Sequence, residues 1–71
     1  MVTLDKIKVG QKAAISVFNN SSAKCFSSRF GIEEGQIITC IAKPGSIVIQ
    51  KALQEIAIGK KLSQEILVNL L

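Results

Sequence analysis

The sequence predicts an all-β fold: a small, strongly bent barrel of about five strands with one short α-helix. Three observations carry that expectation. Eleven of the 71 residues are Ile, and β-branched side chains favour pleated, half-buried surfaces. The apolar residues fall in strand-length runs bounded by turn signals such as Lys43-Pro44-Gly45-Ser46. A chain of this size forms one domain, residues 1–71, and buries only about 60–65% of its extended surface. Closing the sheet on itself removes edges that so small a two-layer sheet could not cover.

The elements follow in order. Leu4, Ile7 and Val9 stand among charged residues, and Val9-Gly10-Gln11 turns into the first strand. Over 12–18, Ala13, Ile15 and Val17 alternate with Lys12, Ala14, Ser16 and Phe18, the period of a half-buried strand. Asn19-Asn20-Ser21-Ser22 is a turn cluster and a helix N-cap signal. In the short helix that follows, Ala23, Phe26 and Phe30 share one face and are expected to be buried. Lys24, Cys25, Ser28 and Arg29 are expected to face solvent. Gly31 stands where a left-handed C′ residue ends a helix. Ile32 tucks back onto the core, and Glu33-Glu34-Gly35 completes a tight connection. The near-continuous apolar run over 36–43 suggests a strand buried on both sides. Ile47-Val48-Ile49 and 55–58 form a hairpin pair, 59–65 is a polar connector with one helical turn, and 66–70 is the closing strand.

Composition narrows the function. There is no His, no Gly-rich phosphate loop, and no nucleophile with a base nearby, so nothing in the chain points to an enzyme. Cys25 and Cys40 have neither a disulfide-framework nor a metal-ligand spacing and read as reduced thiols. No cofactor and no metal centre is expected. Glu33 and Glu34 supply too few oxygens for a hard cation, which wants six or more. No apolar run approaches the ~18 residues of a membrane span, and the N-terminus lacks a signal peptide's pattern, so the expectation is a cytoplasmic chain without membrane insertion. The net charge is +4, and the cations Lys6, Lys8, Lys12, Lys24, Arg29, Lys43, Lys51, Lys60 and Lys61 are scattered along the chain. Without clustering or interleaved aromatics this is no nucleic-acid signature. It reads as solubility, with a basic face toward an acidic partner or a membrane surface as the other reading.

Three segments together resemble the ferrous iron transport protein A (FeoA) family over nearly the whole chain. Leu4-Asp5-Lys6-Ile7-Lys8-Val9-Gly10-Gln11 is similar to the family's L-x-x-L-x-x-G entry. Phe30-Gly31-Ile32-Glu33-Glu34-Gly35 is similar to its L-G-L-x-P-G turn, with Phe30 for Leu and Glu34 for Pro. The stretch from Ile56 to Val68 resembles the closing segment, with Gly59 near the family's common Arg. The resemblance implies an SH3-like barrel. It also implies an accessory role in ferrous iron uptake, through contact with the cytoplasmic region of the membrane ferrous iron transporter FeoB. The alternative is a free-standing SH3-like regulatory domain, related to the C-terminal domain of iron-dependent repressors.

The candidate partner-binding residues are Cys25 and Arg29, one turn apart on the helix, and Lys43 and Pro44 at a loop tip. Arg suits interfaces through its planar donors and weakly hydrated charge. Gly10, Gly31, Gly35 and Gly45 are read as backbone devices for tight turns. Leu70 and Leu71 either cover the barrel or pair with another copy, which makes a homo-oligomer one expectation.

Overall fold

Six strands form one antiparallel sheet in the computed structural model, which describes residues 1–71 in full. They are β1 (Val2–Thr3), β2 (Lys12–Phe18), β3 (Ile37–Ala42), β4 (Ile47–Lys51), β5 (Gln54–Ile58) and β6 (Ile66–Leu70). A 3₁₀ turn, Leu4–Lys6, follows β1. Helix α1 (Ser21–Arg29) joins β2 to β3, and the single turn α2 (Lys60–Ser63) joins β5 to β6. The sheet runs β1-β6-β2-β3-β4-β5, so the last strand lies between the first two.

Alternation decides what is buried. Ala13 and Ile15 of β2, Ile38 and Cys40 of β3, Ile47 and Ile49 of β4, Ile56 and Ile58 of β5, and Ile66 and Val68 of β6 form one buried cluster with Leu4, Ile7 and Ile32. Strands that are far apart in sheet order thus share one core, which requires the sheet to bend around it. The extents of 28 × 22 × 22 Å leave room for only that core.

The structure departs from the sequence expectation at several points. The two-residue strand β1 pairs Val2 with Val68 and Thr3 with Leu67, and it is too short to show any period. Val17 is exposed, because a register shift between Ile15 and Val17 against β6 turns the strand over. Past that bulge it is Phe18 that packs against the core. β3 is not buried on both sides: its residues alternate, and Ile37 is exposed. Closure does not remove every edge, since β1 and β5 remain the two ends of the hydrogen-bonded order.

Helix α1 starts and stops where its sequence says. Asn20 Oδ1 accepts from the Ala23 N–H at 2.7 Å, the bond of an N-cap. At the other end the Ile32 N–H donates to Ser27 O at 2.9 Å and the Gly31 N–H to Ser28 O at 3.0 Å, a Schellman ending with Gly31 at C′. The buried face is the surprise. Ala23 and Ser27, four residues apart, are the buried residues of α1, while Phe26 and Phe30 are 41% and 40% exposed. The helix lies against the barrel on small side chains, and the larger rings stand at its flank with less than half of their surface exposed.

Ser27 carries a cost in this position. Its hydroxyl is buried and finds no hydrogen-bond partner, whereas the equally buried Ser63 donates to Lys60 O at 2.6 Å. Replacing Ser27 by Ala removes an unsatisfied group and improves helix propensity, so S27A is expected to stabilise the fold by about 1 kcal/mol. S63A is expected to be neutral or destabilising. Urea denaturation of both variants checks the pair, and a loss of stability in S27A would count against this account.

Candidate partner-binding surface

The outer side of α1 holds an aromatic pair. Phe26 and Phe30 sit with ring centroids 5.0 Å apart at 51°, a tilted packing that such rings favour. Cys25 and Arg29, singled out in the sequence, are both exposed on the same helix. Beside Phe26 a groove of ≈ 550 Å³ runs between α1 and α2, with Ala23 and the half-buried Leu62 among its apolar lining and Lys61 and Glu65 among its polar lining. Exposed rings beside a groove suit a protein surface better than a small polar molecule, because large rigid side chains supply most of the contact energy at interfaces.

The helical spacing places Cys25 and Arg29 toward solvent, where they are, but assigns the two rings to the core. One signal could have corrected it. Ala23 and Ser27 recur at i, i+4, and small residues at that spacing let a short helix approach a barrel closely.

Lys43 and Pro44 lie elsewhere. Strand direction puts α1 at the end where β2 finishes and β3 begins, and the 43–46 turn at the opposite end. Lys43 is not a free side chain. Its Nζ donates to Asp5 O at 3.0 Å and to Ile7 O at 2.8 Å, tying the turn to the N-terminal segment. A shallow depression of ≈ 240 Å³ beside it is also lined by Asp5, Gly45, Ser46 and Lys60. The structure therefore does not bring the four candidate residues into one site: Cys25 and Arg29 stand at one end, Lys43 and Pro44 at the other.

All four glycines named in the sequence, Gly10, Gly31, Gly35 and Gly45, have positive φ. Gly31 is the most constrained. Its φ is +74°, and its carbonyl accepts from Lys51 Nζ at 2.7 Å, which fastens the tip of the β4–β5 hairpin to the end of α1. At that tip Ala52 takes a positive φ of 54° and Leu53 is fully exposed.

Glu34 faces Lys24 Nζ at 4.0 Å with both side chains exposed, a pairing worth little. No group of three or more His, Cys, Asp or Glu side chains converges. No helix is long and apolar enough to cross a membrane.

Comparison with known proteins sets this geometry in a family context. The family profile described as "FeoA domain" matches residues 2–70. No curated protein matches the chain in sequence. A crystal structure of an iron uptake regulatory protein (FeoA) superposes with a TM-score of 0.89 at 25% identity, over 99% of this chain and 96% of that one. A FeoA-like protein from Clostridium acetobutylicum gives 0.89 at 19% identity, over 99% and 86%. The fold also matches part of a larger protein. The T. acidophilum IdeR structure gives 0.88 at 17% identity over 97% of this chain, which spans 33% of that one. These likenesses are to an SH3-like barrel, used both alone and as one portion of a longer chain.

Proposed function

Because this chain belongs to the FeoA family, with a family profile matching residues 2–70, we propose that it acts as an accessory protein of ferrous iron uptake by binding the cytoplasmic region of FeoB. Membership supports the iron-uptake role, and the contact with FeoB is our reading. The observation that carries it is the exposed Phe26–Phe30 pair on α1, beside the α1–α2 groove. We read that face as a surface for contact and modulation. Cys25 and Arg29 belong to the contact face. Lys43 and Pro44 form a second, smaller candidate face at the far end.

The test is a titration of isotope-labelled protein with the FeoB cytoplasmic region, with GDP and with a GTP analogue. Chemical-shift changes are expected within 22–31, with 43–46 as the alternative face. The double variant F26S/F30S is expected to weaken binding at least about tenfold, as for interface anchors, with a melting temperature lowered by roughly 10 °C for the covered part of the two rings and the dispersed amide spectrum of the folded barrel retained. An absence of shifts at high concentration would sink direct contact with that region. The second reading, a free-standing regulatory domain, draws on the fold shared with one portion of a longer manganese-dependent transcriptional repressor, and it would be tested with a repressor as the partner.

A further inference from the structure

The cations are scattered in the sequence, yet the fold gathers Lys6, Lys8, Lys12, Lys43 and Lys60 toward one end. That end is where β2 and β4 begin and where β3, β5 and β6 finish. Lys43 reaches across it to the carbonyls of Asp5 and Ile7. Lys6 and Lys8 flank Ile7 in the chain and are exposed. Lys60, which opens α2 just past the end of β5, shares the shallow depression with Lys43 and Asp5. Asp5 is the one carboxylate there, and its side chain already accepts from the Thr3 hydroxyl. The other four carboxylates stand where strands begin at the opposite end: Glu33 and Glu34 before β3, Glu55 in the first half of β5, and Glu65 before β6. The molecule is electrically polarised along the barrel. Between the lysines two apolar residues stand out on turns: Val9, 60% exposed in the 8–11 turn, and the exposed Pro44.

We propose that this lysine end docks peripherally on an anionic lipid bilayer, with Lys6, Lys8, Lys43 and Lys60 toward the headgroups and Val9 and Pro44 at the headgroup level. A bilayer fits the end better than the other acidic surfaces. It is built from turn tips around a shallow depression, which meet a plane rather than grip a chain. It presents no aromatic to stack on bases and no aromatic anchor of the kind protein interfaces favour. Apolar tips ringed by lysines match the layered chemistry of a charged membrane surface. Helix α1 lies at the opposite end and stays free, so the proposal stands independently of the reading of its aromatic face.

Flotation of the full chain with vesicles of phosphatidylcholine alone, or with about 30% phosphatidylglycerol, tests it at low and high salt. Binding is expected to the anionic vesicles at low salt and to vanish at high salt. Each lysine near such a surface contributes about fivefold, so K8Q is expected to lower partitioning about fivefold and K6Q/K8Q roughly 25-fold. K24Q removes the same charge from the α1 end and is expected to change it by less than about twofold. Lys43 is left untouched, since its ammonium holds the N-terminal segment. Equal losses in K8Q and K24Q would reduce the effect to net charge and overturn the proposal. So would an absence of binding at low salt. Binding to polyglutamate without binding to vesicles would transfer the end to an acidic protein partner.

Discussion

Truncating Ile49 to Ala is expected to cost about 2–5 kcal/mol, the range for a buried Ile that leaves a cavity. Ile49 is fully buried in the middle of β4 and pairs with Cys40 on one side and Ile56 on the other. Both neighbours are buried in the same cluster, so the barrel cannot collapse into the hole without moving two further strands. A domain of this length has a total stability on the order of 4–10 kcal/mol, and the variant is expected to melt roughly 10–25 °C lower. V48A is the control. Val48 lies on the same strand with its side chain toward the other face and is only half-buried, so its loss is expected to stay near 1 kcal/mol. Equal losses in thermal melts of the two would refute the assignment of the inner face.

Replacing Gly31 with Ala is the second large effect. An L-residue held at φ +74° costs about 1–2 kcal/mol. The added Cβ would also lie 2.7 Å from Lys51 Nζ, which must move and release its bond to the Gly31 carbonyl. The two parts are separable. In a K51M background the crowding is relieved and the backbone strain remains, so G31A is expected to cost about 1 kcal/mol less there than in the parent chain. A double-mutant cycle by urea denaturation measures the difference. If the two costs are identical, Lys51 plays no part in the strain.

Much of the fold is legible in the sequence. A period-two run marks β2, the short runs at 47–49 and 55–58 mark the β4–β5 hairpin, and Asn20 and Gly31 bracket α1 by the hydrogen bonds their chemistry allows. What escapes has physical causes. β1 is two residues long and exists because β6 offers an edge, a partner 64 or more residues away in the chain. The bulge that exposes Val17 is a property of pairing with β6 and not of β2's own composition. The partial exposure of Phe26 and Phe30 follows from the fit of a short helix on a small barrel, where Ala23 and Ser27 make the close approach and the rings are left at the flank. The candidate surface is legible only in part for the same reason: Cys25 and Arg29 can be read from helical spacing, but the groove beside them needs Leu62 of α2. The lysine end is invisible in the sequence, because Lys6, Lys8, Lys43 and Lys60 meet only once the strands are in order.

The strand order also bears on how the chain is made. β2 is flanked by β3 on one side and β6 on the other, and β1 pairs only with β6. β3, β4 and β5 can therefore zip together as neighbouring hairpins while synthesis continues. The barrel itself must wait for β6, the last of the six strands in chain order, because it joins both N-terminal strands. Ile66 and Val68 are missing from the core until then, and an emerging chain leaves Ala13 and Ile15 without their flank. Completion of the barrel thus rests on the long-range pairing of β6 with β1 and β2, the slowest kind of contact for a chain to form.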